Sequence, residues 1–146
     1  MSLRVRPKML VGIVVVLVLS LAVASNAQLG GVTGGEAVSV GEAQLGAPFV
    51  YGMDGPDAFS CSGLMRYILR TTGVDANAPW IPEEYLSRYA PVAPENLQPG
   101  DIVIYPDWAT MYAGNGMLLN ANALTGTVTE TPMEYAGEPV GIARPY

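Results

Sequence analysis

The stretch from Ser60 to Gly73 is the tightest constraint on how this chain folds. Ser60 is a residue type that caps helix N-termini, and Gly73 sits where a C-terminal cap belongs. Between them, Cys61 to Thr72 contains no proline, and its one glycine, Gly63, falls in the first turn. Cys61, Leu64, Met65 and Ile68 lie at helical offsets that put them on one face. An apolar helical face must be buried against another layer, and the rest of the chain supplies one. Ile102 to Tyr105, Thr110 to Tyr112, Met117 to Asn120, Thr127 to Thr131 and Val140 to Arg144 read as short strands. Gly114-Asn115-Gly116 reads as a hairpin turn between the second and third of them. Helices followed by a run of strands imply an α+β domain, with the helix that starts at Cys61 packed on an antiparallel sheet.

The connecting segments are plainer. Glu36 to Leu45 is helix-compatible and stops at Gly46, with Pro48 just beyond. Tyr51 to Asp57, with Gly52, Gly55 and Pro56, is a loop. Pro79 to Pro94 is a connection with room for one helical turn at Glu83 to Leu86, and Leu97 to Asp101 is a turn. Gln28 to Gly35, rich in glycine and small residues, reads as a flexible linker, leaving 36–146 as the domain.

Residues 1–27 carry a different message. Arg4, Arg6 and Lys8 precede an apolar run from Met9 to Ala24, and Ser25-Asn26-Ala27 follows with small residues where a signal peptidase cuts. This is a secretory signal peptide or, if it is never cleaved, a membrane anchor. As a helix the apolar run rises roughly 24 Å, somewhat short of a typical hydrocarbon core. Either reading sends the domain to the cell envelope or beyond.

Beyond this leader the chain has four basic and thirteen acidic residues, a net charge of −9. Such a surface repels phosphate backbones and anionic headgroups, which argues against nucleic acid as a partner and leaves the leader as the only membrane contact. The chain has one cysteine and no histidine. An internal disulfide is therefore ruled out, and a zinc site would have to rely on carboxylates, so no metal or other cofactor is expected. The thiol of Cys61 lies at a helix N-terminus, where backbone N–H groups and the helix dipole favour a thiolate. A buried apolar cysteine is the alternative.

Four segments together resemble the NlpC-type cell-wall cysteine peptidases, which have a small papain-like fold. They are Ala43-Gln44-Leu45-Gly46-Ala47-Pro48-Phe49-Val50-Tyr51-Gly52, Phe59-Ser60-Cys61-Ser62-Gly63-Leu64, Leu97-Gln98-Pro99-Gly100-Asp101-Ile102-Val103, and Ala109-Thr110-Met111-Tyr112-Ala113-Gly114-Asn115-Gly116-Met117. The second is similar to the family's Asp-Cys-Ser-Gly-Leu, with Ser60 in place of the aspartate. The resemblance implies amide hydrolysis in the peptide stems of peptidoglycan, with peptidoglycan or its wall peptides as partners; an envelope protein is the alternative partner, which the resemblance does not itself imply. It makes Cys61 the nucleophile and puts Phe49, Ser60, Ser62 and Gly63 against substrate. Asn120 takes the position of the polar residue that orients the family's histidine.

Trp108 stands where that histidine belongs. Imidazole accepts a proton near neutral pH, whereas the indole N–H only donates. General-base catalysis contributes about 10²–10⁴ in rate. A thiol without a base is only on the order of a few per cent ionised at neutral pH. The expected function is therefore a wall-peptide domain with impaired catalysis. The alternatives are a working thiol endopeptidase that uses Cys61 with an unidentified base, and a non-catalytic scaffold tethered to the membrane. Asp107 is the acidic residue adjacent to the site in sequence. Trp108 is either core filler or a stacking platform in a groove. Trp80, Tyr85, Tyr89, Tyr105 and Tyr112 are candidates to line such a groove or are ordinary packing.

Overall fold

The computed structural model describes residues 31–146. The leader expected over 1–27 and the first part of the linker lie outside the described residues. Among the described residues, no helix is long and apolar enough to cross a membrane. Among the described residues, three α-helices, α1 (Gly34–Glu42), α2 (Cys61–Thr71) and α3 (Glu84–Arg88), precede or interleave with six strands. The strands are β1 (Ala90–Pro91), β2 (Ile102–Tyr105), β3 (Trp108–Gly114), β4 (Met117–Asn122), β5 (Thr127–Pro132) and β6 (Gly141–Arg144). They form one antiparallel sheet in the order β1-β6-β2-β3-β4-β5. This is the expected α+β architecture, with the cysteine helix lying on the sheet.

The period-2 alternation of the strands sorts their side chains between two faces. Ile102, Ile104, Ala109, Met111, Leu119 and Ala143 meet the α2 side chains Leu64, Met65, Ile68 and Leu69 in one cluster. Those four α2 side chains are completely buried. Each fully buried side chain of this size contributes about 1.5–3 kcal/mol, so this face dominates the stability of the domain. On the opposite face Val103, Tyr105, Leu118 and Ile142 are covered by Val92, Leu97, Trp108, Tyr112 and Met133. Irregular segments, not a second helical layer, close that side. Because β2 is covered on both faces, Ile-Val-Ile-Tyr is a continuous apolar run.

Several elements differ from those read in the sequence. The first helix starts at Gly34, not Glu36, and ends at Glu42. Thr33 caps it in a reciprocal box: the Glu36 N–H donates to Thr33 Oγ1 at 3.2 Å, and the Thr33 N–H donates to Glu36 Oε2 at 2.6 Å. Gly34 and Gly100 are glycines because their backbones touch; a Cβ on either would overlap the other strand of chain. Gly34, which the sequence places in the linker, is therefore part of a crossing point with the Pro99-Gly100 turn. The second difference is β1, a two-residue strand hidden in the proline-containing connection, which pairs with Ala143 and Arg144 of β6. The predicted turn at Glu83 to Leu86 becomes α3, shifted by one or two residues.

Ion pairs fasten the loops to this frame. Asp54 accepts from Arg66 at 3.3 Å and Arg70 at 3.0 Å, holding the 51–57 loop against α2. Asp101, 1% exposed, grips the Arg144 guanidinium through both oxygens at 2.7 and 2.9 Å, and so locks the Pro99-Gly100-Asp101 turn to β6. Asp75 accepts from Arg88 at 2.6 Å, from the Tyr89 hydroxyl at 2.7 Å and from the Asn77 N–H at 2.8 Å.

The Arg88 guanidinium, helped by the Tyr89 hydroxyl and the Asn77 N–H, outweighs burial and holds the Asp75 carboxyl down at about 2. An unfolded Asp titrates near ~3.9. A folded value below the unfolded one stabilises the fold above about pH 4 and is lost as pH falls towards 2. Urea unfolding at neutral pH and near pH 2.5 should therefore show wild type losing more stability on acidification than Asp75→Asn. Equal losses would show that Asp75 carries no acid-sensitive stability.

Candidate active site

Cys61 is the first residue of α2 and is half-buried, outside the apolar core. Ser60 accepts the Gly63 N–H on its Oγ at 3.2 Å and caps the helix, as its sequence position predicts. The Met53 carbonyl accepts the Ser60 N–H at 2.8 Å, so the 51–57 loop is folded over the start of the helix. The thiol lines an open cavity of about 560 Å³. Phe49, Trp108 and Asn120 share that cavity, together with Leu124 from the β4–β5 turn and Tyr135 from the 3-10 turn after β5. Cys61, Trp108 and Asn120, distant in sequence, thus line one cavity.

The β2–β3 turn aims Trp108. Pro106 and Asp107 join the strands, and Asp107 has φ 66°, the positive value that a type II turn needs after its proline. The turn sets Tyr105 directly across from Trp108, and their rings stack with centroids 4.3 Å apart and planes 12° off parallel. Trp108 therefore does both things the sequence left open: one side packs on the outer-face cluster, the other walls the cavity. Tyr105 beneath it is buried, which with the nearby Glu138 carboxylate raises its phenol above the ordinary range. It is a neutral ring here, not a phenolate base.

Asn120 lies on β4, where Met111 pairs with Leu119. That register sets Thr110 opposite Asn120 and, by alternation, puts Trp108 and Asn120 on the same face. Asn120 is 4% exposed, and its Oδ1 has no hydrogen-bond partner. Among the described residues, the cavity lining contains no carboxylate, imidazole, amine or guanidinium. Asp107, adjacent in sequence, is not in the lining; its N–H donates to Glu83 Oε1 at 3.2 Å on the exposed side of the turn. Among the described residues, no three His, Cys, Asp or Glu side chains gather as metal ligands do.

Several expected contacts sit elsewhere. Ser60, Ser62 and Gly63 are buried and absent from the lining, because the cap and the Met53 carbonyl occupy that side of the helix start. Of the aromatic candidates, Tyr85 is buried with its hydroxyl donating to the Pro79 carbonyl at 2.8 Å, and Tyr89 is tied to Asp75. Arg66 lies over the Trp80 ring at 4.3 Å, and the Tyr112 hydroxyl accepts the Gly116 N–H at 3.1 Å. None of these four lines the cavity. Leu124, 97% exposed, and Tyr135, 80% exposed, do line it and were missed. Their signal in sequence is a large apolar residue standing in a polar turn.

Comparison with known proteins agrees with this geometry. Residues 46–138 match the model of the NlpC/P60 family. A Corynebacterium glutamicum protein named "Probable endopeptidase" is 31% identical over 106 residues, 70% of this chain and 50% of its own. The chain thus spans about half the length of that relative. The solved structure of the peptidoglycan hydrolase RipB from Mycobacterium tuberculosis superposes with a TM-score of 0.66 at 27% identity, covering 80% of this chain and 72% of RipB. RipD from the same organism, described as a non-catalytic NlpC/p60 domain protein adapted to peptidoglycan binding, shares the fold with a TM-score of 0.64 at 23% identity, over 77% of this chain and 98% of its own. The matched stretch takes in the cysteine helix and the sheet through β5, and on that evidence the chain belongs to the NlpC/P60 family.

Proposed function

We propose that this domain, exported to the cell envelope, holds peptide stems of the bacterial wall in the cleft beside Cys61 and cleaves them slowly or not at all. One observation carries the reading: Cys61, Trp108 and Asn120 line one cleft, and among the described residues no lining side chain is a base. Acylation of a thiol releases a proton, and the described side chains around Cys61 offer no acceptor for it near neutral pH. What remains is a concave, largely apolar surface with an aromatic wall, which suits binding. RipD, which shares the fold, is described as a non-catalytic NlpC/p60 domain protein adapted to peptidoglycan binding. The basic, apolar and small-residue order of 1–27 supports export.

Co-sedimentation of the full chain with insoluble peptidoglycan at low salt tests the reading. Retention is expected, and Tyr135→Ala, on the exposed rim of the cleft, should weaken it by about tenfold. If the chain stays in solution at every wall concentration, the reading fails.

A further inference from the structure

We infer that the cleft selects peptide segments without free carboxylates, so that among wall stems it takes those whose acid groups are capped as amides. The inference rests on the wall-peptide reading above and narrows its ligand. It starts from charge. The described residues contain four cations, Arg66, Arg70, Arg88 and Arg144, and each is in an ion pair with Asp54, Asp75 or Asp101. None of the four lines the cavity. A ligand carboxylate entering it would leave water without meeting a counter-charge, which is costly. All thirteen acidic residues but only four basic ones lie beyond the leader, so the net charge of the domain also disfavours an anionic ligand.

The polar groups that the cavity does offer match an amide. Asn120 presents a buried side-chain amide whose Oδ1 has no hydrogen-bond partner, and Asn122 lines the same cavity. A carboxamide or a peptide group carries both a donor and an acceptor and can satisfy both ends of an asparagine amide. An ionised carboxylate only accepts, so it leaves the Asn120 oxygen unmatched. Desolvation and hydrogen-bond matching therefore disfavour the same ligand. Phe49, Trp108 and Leu124 supply apolar surface that is indifferent to the distinction.

Calorimetric titration of the full chain with two synthetic stem tetrapeptides, identical except that one has its carboxyls free and the other has them amidated, tests this. The amidated peptide should bind tighter by about tenfold or more. Leu124→Arg, which adds a cation at a 97% exposed rim position, should narrow the gap by improving binding of the acid form. If the free acid binds the unaltered chain as tightly as the amide, the selectivity is overturned and the wall-peptide reading stands. If neither peptide binds, both fall together.

Discussion

Replacing Trp108 with histidine is expected to raise cleavage of wall peptides by about 10²–10⁴, the usual contribution of a general base. The site is otherwise arranged for it. Residue 108 opens β3, shares the cavity with Cys61, and lies on the same sheet face as Asn120. An imidazole there would have a thiol to deprotonate and a neighbouring side-chain amide to fix its ring. The exchange also has a structural cost. Losing the stack on Tyr105 removes about 0.5–1.5 kcal/mol beyond area burial, so the variant should melt lower than wild type while gaining activity. Release of cleaved stems by the variant, abolished when Cys61→Ala is added, is the expected pattern. A variant that folds and remains inactive would mean that more than the base is missing.

Gly63→Ala should be strongly destabilising although it adds only one methyl group. In an ordinary helix interior, alanine for glycine gains about 1 kcal/mol. Here the new methyl would overlap the Met53 carbonyl, a backbone atom that cannot swing aside and that already accepts the Ser60 N–H. Overpacking of this kind costs about 1–3 kcal/mol, and separating loop from cap would add loss of the cap itself, about 1 kcal/mol. The clash and the lost cap outweigh the propensity gain, so a net loss of about 1–3 kcal/mol is expected in chemical denaturation. Gly35→Ala is the control. It lies in α1, where the nearest neighbour of an added Cβ would be Thr33 Oγ1 at 3.9 Å, so it should gain up to about 1 kcal/mol. If both variants shift stability in the same direction, close packing at Met53 is not what fixes Gly63.

These two residues mark where the sequence is informative and where it is not. The α2 helix is legible because its cap, apolar face and terminal glycine are local signals that tertiary packing only reinforces. β2 and the β3–β4 hairpin are legible for the same reason, although β3 runs back to Trp108 through residues that carry no strand signal of their own. Cys61, Trp108, Asn120 and Phe49 reach one cavity as the family resemblance implies, while their roles remain those proposed above. β1 escaped because a two-residue strand containing Pro91 exists only through its pairing with β6. The linker boundary misled because Gly34 is required by a contact with Gly100, far along the chain. Leu124 and Tyr135 belong to no periodic pattern; only the fold shows that two turns converge on the thiol.

The most direct measurement is turnover of purified muropeptides by the unaltered full chain beside Cys61→Ala. With the Trp108 indole sharing the cavity with Cys61 and, among the described residues, no acid, amine or imidazole lining the cleft, the two should release stems at indistinguishable, near-background rates. Vigorous hydrolysis by the unaltered chain, lost when the sulfur is removed, would contradict the account, because it would require a proton acceptor that the described lining does not contain.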